Sequence, residues 1–109
     1  MNIEFEYRYR DWGNFKKYGA VVFNNQHRLS IDEVSQRVLS ASIDGQFFDA
    51  SQLGIPELFF HDSPFDPDLD HGMHEFCSVS ETGLPADDTP NRDILDLLLK
   101  MESSVVAYR

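Results

Sequence analysis

The chain has 109 residues, of which nineteen are Asp or Glu and nine are Lys or Arg, so its formal net charge is -10. A chain of this length holds one modest core, and its 41% apolar and 13% aromatic content excludes a disordered acidic tail, so we expect residues 1–109 to form a single domain. The negative charge disfavours direct binding to nucleic acid or to anionic lipid.

The cysteine content and the hydropathy pattern indicate the compartment. The one cysteine, Cys77, leaves no partner for an internal disulfide, which is typical of a reducing environment. No apolar run approaches the ~20 residues that span a membrane, and the first ten residues, MNIEFEYRYR, lack the apolar core of a signal peptide. We therefore expect a cytoplasmic protein with no membrane contact.

The first predicted element is a β-hairpin. Residues 3–10 alternate between apolar and charged side chains, which is the pattern of a half-buried strand, and place Tyr7 and Tyr9 on the core side, opposite Arg8 and Arg10. Turn-forming residues follow, and residues 18–23 then predict a second strand that folds back on the first.

A helix is predicted next, over about residues 31 to 42. Ser30 and Glu33 form a capping box, and apolar residues then recur at helical spacing until Gly45. Residues 46–49 favour a short strand or an extended crossing, and residues 53–56 a turn.

A long acidic loop separates these elements from the last two. Residues 57–72 contain Pro64 and Pro67, are rich in carboxylates and show neither strand nor helix periodicity. Residues 73–79 alternate again and predict a strand, in which His74 and Cys77 face opposite sides. This placement argues against a thiol nucleophile activated by histidine, so we interpret Cys77 as a buried structural thiol.

The last predicted helix begins with Thr89 as the N-cap and Pro90 at the first helical position. Its apolar stripe consists of Ile94, Leu97, Leu98 and Met101. The tail, residues 105–108, favours an edge strand or an extension of the packing. The element order predicts an α+β fold, with a small antiparallel sheet opened by the N-terminal hairpin and two helices packed on one face.

The distribution of charge is the strongest functional signal. Between Arg37 and Arg92 there is no Lys or Arg but there are eleven carboxylates. Such an interval cannot neutralise itself through local ion pairs, so it repels phosphate and attracts cations or a basic partner.

One part of this interval suggests a metal site. Asp66, Asp68 and Asp70 alternate, so an extended backbone directs all three carboxylates the same way, as Ca²⁺ requires, and His71 and His74 add nitrogen donors for a transition metal. The pattern departs from an EF-hand loop at Pro67 and at Gly72, which comes one residue late. A solvated acidic loop held to the core by neighbouring apolar residues is the simpler interpretation.

Other chemistry finds little support in the sequence. No motif marks a catalytic pair among the many carboxylates, and a chain this short has little room for a substrate pocket beside its core. The hairpin interleaves bases with aromatics as nucleic-acid-binding surfaces do, but its tyrosines are predicted to face the core and the overall charge repels phosphate.

The leading hypothesis is therefore a non-enzymatic protein-binding domain without a cofactor, of the inhibitor, immunity or antitoxin-like kind, whose acidic loop engages a basic partner surface. Trp12 and Phe15, beside the hairpin turn, are either interface anchors or core. The predicted partner-binding residues are Trp12, Phe15, Asp62, Asp66, Asp68, Asp70 and Glu75.

Three alternatives remain open at this stage. The first is a divalent-metal-binding protein or metal-dependent enzyme that uses Asp66, Asp68, Asp70, His71 and His74. The second is a phage or host factor that imitates the charge of nucleic acid. The third is a homodimer formed through the sheet edge or the hairpin.

Overall fold

The computed structural model describes residues 1–11, 13–59 and 73–107, of which residues 105–107 are described by their backbone alone. Within these ranges four strands form one antiparallel sheet and three helices accompany it, which confirms the predicted α+β class. The strands are β1 (Asn2–Arg10), β2 (Lys16–Phe23), β3 (Phe47–Phe48) and β4 (His74–Thr82), arranged in the order β2-β1-β4-β3. The helices are α1 (Ile31–Ser40), α2 (Ala50–Leu53) and α3 (Ile94–Ala107).

The N-terminal hairpin is confirmed. Along β1 the apolar side chains, Tyr7 and Tyr9 included, are buried, and the charged ones between them are partly exposed. The second strand begins at Lys16, earlier than predicted, because the ladder continues to the pair Arg10↔Lys16. The turn is closed at its base by the Phe15 N–H, which donates to the Asp11 carboxylate at 2.9 Å.

Helix α1 is also confirmed, with a shorter C-terminus. The Glu33 N–H donates to Ser30 Oγ at 3.1 Å, as the N-cap prediction requires. The helix ends at Ser40, and the connection that follows adopts left-handed φ values at Asp44 (53°) and Gly45 (67°). Because Gly45 carries no Cβ, this conformation costs it little.

The segment after α1 contains one element that the sequence analysis missed. The short-strand alternative for residues 46–49 is confirmed as β3. Helix α2 follows it and lies mostly before the turn predicted over residues 53–56, where no element was predicted. The Asp49 carboxylate accepts the Ser51 N–H at 3.0 Å, and Gly54 ends the helix at a φ of 71°. A helix of one turn is too short to produce a visible 3.6-residue pattern.

The predicted start of the last helix is wrong. Thr89 and Pro90 lie in a turn, and α3 begins at Ile94, where the Asp93 carboxylate accepts the Leu95 N–H at 3.0 Å. The predicted apolar stripe is confirmed, since all four of its side chains are at most 1% exposed. The helix continues to Ala107, so the predicted edge strand in the tail is wrong over the described residues.

A β-bulge corrects the predicted faces of β4. The register against β1 shifts between Glu6 and Tyr7, which leaves Cys77 as the extra residue. Both His74 and Val79 are therefore buried, although strict alternation placed them on opposite faces. Cys77 is half-buried rather than buried, and partial burial raises the pKa of its thiol.

The core lies between the inner face of the sheet and the helices. It joins the apolar side chains of β1 and β2 to Val34 and Val38 of α1 and to the stripe of α3. In the described ranges no helix has both the length and the apolar character needed to cross a bilayer.

Candidate functional site

The hairpin turn, the start of β4 and strand β3 lie at one end of the sheet, and most of the predicted site residues that the structure describes lie there too. At this end Arg10 of β1 pairs with Lys16 of β2, Arg8 of β1 pairs with Glu75 of β4, and Glu75 pairs in turn with Phe47 of β3. With about 4.8 Å between neighbouring strands, the two edges are separated by about 14 Å.

A buried carboxylate joins the strands at this end. Glu75 is 2% exposed and accepts hydrogen bonds from Arg10 Nε at 2.8 Å, from Arg8 Nη2 at 3.0 Å and from the Gln46 side-chain amide. We call these four residues the Glu75 cluster. Burial alone raises the pKa of Glu75, but the hydrogen bonds from Arg10, Arg8 and Gln46 outweigh it, so the net shift lowers that pKa.

The Glu75 cluster also holds the hairpin. Arg10 Nη1 donates to Asn14 Oδ1 at 2.6 Å, and Arg8 Nη1 donates to the Tyr18 hydroxyl at 3.4 Å. Asn14 has a φ of 67°, a conformation that Asn tolerates better than most residues. The cluster therefore connects the turn and β2 to β4, across β1.

The predicted partner-binding residues separate in the structure. Glu75 is enclosed in its cluster, so its carboxylate has no surface to offer a partner. Phe15 is 70% exposed, so of its two earlier interpretations, interface anchor or core residue, the core one is wrong. Trp12, Asp62, Asp66, Asp68 and Asp70 lie outside the described residues, and their assignment stays a prediction.

His74 joins the two described flanks of residues 60–72, which we call the acidic segment. Its Nε2 accepts the Leu58 N–H at 2.8 Å, and its ring lies 5.3 Å from that of Tyr9 and 5.5 Å from that of Phe59, measured between centroids. Leu58 and Phe59 precede residues 60–72 and His74 closely follows them, so this contact holds the two flanks of that segment together.

The same contact bears on the metal alternative. The lone pair of His74 Nε2 is used by the Leu58 N–H, so the neutral imidazole carries its proton on Nδ1. Within residues 1–11, 13–59 and 73–107, no three His, Cys, Asp or Glu side chains come together as metal ligands do. The other proposed ligands, Asp66, Asp68, Asp70 and His71, lie outside those ranges, and the metal site stays a prediction.

Two carboxylates flank strand β3 at the edge of the sheet. Asp44 lies before the strand and Asp49 follows it. We call Asp44 and Asp49 the acidic edge. Asp44 is exposed, and Asp49 is half-buried as the N-cap of α2.

The described ion pairs leave the acidic edge without a base. Arg37 pairs with Glu102 at 2.7 Å, Arg92 pairs with Asp88 at 3.0 Å, and the two arginines of β1 pair with Glu75. Burial raises the pKa of Asp88 but the hydrogen bonds from Arg92 outweigh it, and the net shift lowers that pKa. The arginines of β1 and Arg92 thus neutralise the buried carboxylates of Glu75 and Asp88, and none of the described ion pairs includes a carboxylate of the acidic edge.

Sequence reasoning missed the Glu75 cluster. Arg8 and Arg10 were recognised as a pair on one face of β1, but Glu75 follows them by more than sixty residues and Gln46 lies in the turn before β3. The local pattern carried no signal of this pairing, because strand order is decided by the packing of the whole sheet.

A shallow depression elsewhere on the surface has a volume of about 130 Å³ and is lined by Met1, Asn25, Arg28, Leu29 and Glu81. Small-molecule sites usually enclose ~300 Å³ or more. No protein-family model, curated protein or solved structure matches the chain.

Proposed function

We propose that the protein is a non-enzymatic protein-binding domain whose acidic edge and acidic segment, residues 60–72, engage a basic surface on another protein. One observation carries the proposal: the carboxylates of the acidic edge have no ion-pair partner among the described residues, whereas the two arginines of β1 and Arg92 are used by the buried carboxylates of Glu75 and Asp88. The charge that remains outward at this edge is therefore of one sign.

Unneutralised charge of one sign suits recognition more than stability. Like charges held near one another destabilise the folded chain, but a complementary surface turns the same field into faster association and discrimination against wrong partners. The two flanks of residues 60–72 meet at His74, which pairs with Phe48 of β3, and the sequence of residues 60–72 holds four further aspartates. Together these groups supply the negative field of the proposed surface.

The class of partner follows from the same charge. A strongly basic protein, such as a nuclease or a toxin that acts on nucleic acid, offers the complementary surface, and an acidic single domain that covers it acts as an inhibitor, immunity protein or antitoxin. We favour this role over general mimicry of nucleic acid, since mimicry needs carboxylates spaced over an extended surface, whereas these cluster along the chain in residues 60–72 and their neighbours.

The first test compares two variants of equal charge. The protein is immobilised, and partners from a lysate of its source organism are captured at ~50 mM salt and released at ~500 mM salt, where surface ion pairs are screened. The double variant Asp44→Asn/Asp49→Asn, in which Asn can still cap α2, weakens retention of the released partner at least threefold. The matched control Glu4→Gln/Glu6→Gln, on the outer face of β1, leaves it unchanged.

The second test concerns the acidic segment. The triple variant Asp66→Asn/Asp68→Asn/Asp70→Asn reduces the affinity for the purified partner at least tenfold, as measured by calorimetry. The matched triple control Glu4→Gln/Glu6→Gln/Glu81→Gln leaves the affinity unchanged. Two outcomes contradict recognition by this edge: the partner is retained equally at both salt concentrations, or the variants and their controls lose the same amount of affinity.

A further inference from the structure

The opposite edge of the sheet presents an open row of backbone groups. Strand β2 is the outermost strand, and at Val22 its edge is occupied, because the Val22 N–H donates to the Asp87 carboxylate and its carbonyl accepts the Asp87 N–H. In an antiparallel ladder, every second residue directs both backbone groups to the same side. Lys16, Tyr18 and Ala20 therefore direct theirs to this edge, as Val22 does.

No hydrogen bond within the described part of the chain reaches these groups on Lys16, Tyr18 and Ala20 from outside the ladder. All three residues are exposed, with Tyr18 at 56%, and Phe15 beside them is 70% exposed. An open edge with exposed aromatic side chains is a template for another strand.

The charges along this edge are self-complementary. Lys16 and Lys17 stand at one end and have no ion pair among the described residues, whereas Asp87, held at Val22, stands at the other end. A second copy turned by 180° places the basic end of each edge against the acidic end of its neighbour.

We propose that two copies of this chain associate through antiparallel pairing of their β2 edges, centred on Tyr18. In this register Tyr18 lies opposite Tyr18 of the other copy, and Lys16 lies opposite Ala20, two residues from the Asp87 carboxylate. Lys17 lies opposite Gly19, so no lysine faces another lysine. The arrangement is isologous and closed, and joins two four-stranded sheets into one sheet of eight strands.

The overall charge of -10 does not prevent this contact. The acidic edges lie about 14 Å from β2, on the far side of each sheet, whereas the Debye length in physiological salt is about 8 Å. The paired edge is short, so it buries less than the ~800 Å² per partner of a standard interface, and the dimer is weak and depends on concentration. It leaves both acidic edges free, so the inference is independent of the proposed function.

Light scattering after size exclusion tests the inference on the full chain. The average mass rises from 12.6 kDa toward twice that value between ~10 µM and ~1 mM. Ala20→Pro removes a backbone donor from the edge and keeps the mass at that of one chain, whereas the matched control Ala20→Ser, which retains the donor, behaves as wild type. Circular dichroism establishes that both variants are folded.

Two further measurements keep the test decisive if Ala20→Pro fails to fold. Lys16→Glu places like charge beside Asp87 of the other copy and weakens the dimer about fivefold, because the contact occurs twice. Amide hydrogen exchange at Tyr18 and Ala20 slows as the concentration rises. A chain that remains monomeric at ~1 mM overturns the inference, and so does a dimer that survives both Ala20→Pro and Lys16→Glu.

Discussion

The two edges of the sheet are built differently. Strand β3 has two residues, is flanked by carboxylates and leads directly into α2. Strand β2 has eight residues, and the described part of the chain covers its edge only near Val22. Short length and charge are two of the ways in which proteins prevent unwanted pairing at an edge, and β3 uses both. The comparison suggests that the β3 edge attracts a partner by its field and that the β2 edge offers backbone hydrogen bonds.

The interior couples these edges. Leu58, which is bonded to His74 on the β3 side, packs beneath Gly19 of β2, where an added Cβ would lie 2.7 Å from Leu58 Cδ2. The Glu75 cluster makes a second connection across the sheet's outer face. Substitutions at these connections show how far each edge depends on the other.

The largest effect is expected for His74→Ala. The change removes a fully buried ring that packs against Tyr9 and Phe59 and leaves the Leu58 N–H without its acceptor, so the free energy of unfolding falls by about 3 kcal/mol. Urea denaturation measures the loss. The control His27→Ala, at an exposed position, changes it by less than ~0.5 kcal/mol, and equal losses would show that His74 does not join the flanks of the acidic segment.

A smaller loss is expected for Glu75→Gln. The variant keeps the side-chain shape but leaves the guanidinium groups of Arg8 and Arg10 without their counter-charge. Because both arginines are partly exposed, water offsets part of the effect, and the free energy of unfolding falls by about 2 kcal/mol. Glu81→Gln, on the exposed part of the same strand, serves as the control. If both variants unfold at the same urea concentration, the cluster does not join the edges energetically.

The pH dependence of stability follows from the same carboxylate. The folded state lowers the pKa of Glu75 and of Asp88, so each contributes stability that is present above the ordinary carboxyl pKa of about 4. This stability is lost as the pH falls through that value toward the lowered one. Urea midpoints between pH 7 and pH 3 should decline less steeply for Glu75→Gln than for wild type, and parallel curves would contradict the assignment.

The smallest effect is expected for Gly19→Ala. Its new methyl group forces the Leu58 side chain to move, and the cost is about 1 kcal/mol because a leucine side chain adapts more easily than backbone. Gly83→Ala is the matched control, since no atom lies within 4 Å of the added Cβ. Equal thermal midpoints for the two variants would mean that β2 does not rest on Leu58.

Local patterns predicted most of the elements. The alternation in β1 and the capping box of α1 survive in the fold because each is a property of neighbouring residues. The start of α3 was misplaced because Thr89-Pro90 is a sound N-terminal signal, but tertiary contacts outcompeted it. Just before α3, the Asp88 carboxylate accepts the Arg92 N–H. The Asp93 carboxylate caps the helix and also accepts the Gln26 N–H from a distant part of the chain.

The candidate site divides in the same way. The sequence by itself determined the acidic interval between Arg37 and Arg92, because the order of charges along a chain does not depend on folding. Only the tertiary structure decided that Glu75 lies within a cluster and that the remaining described carboxylates near β3 have no base beside them. Ion pairing depends on which strands become neighbours, and the bulge at Cys77 decides which β4 side chains face the core.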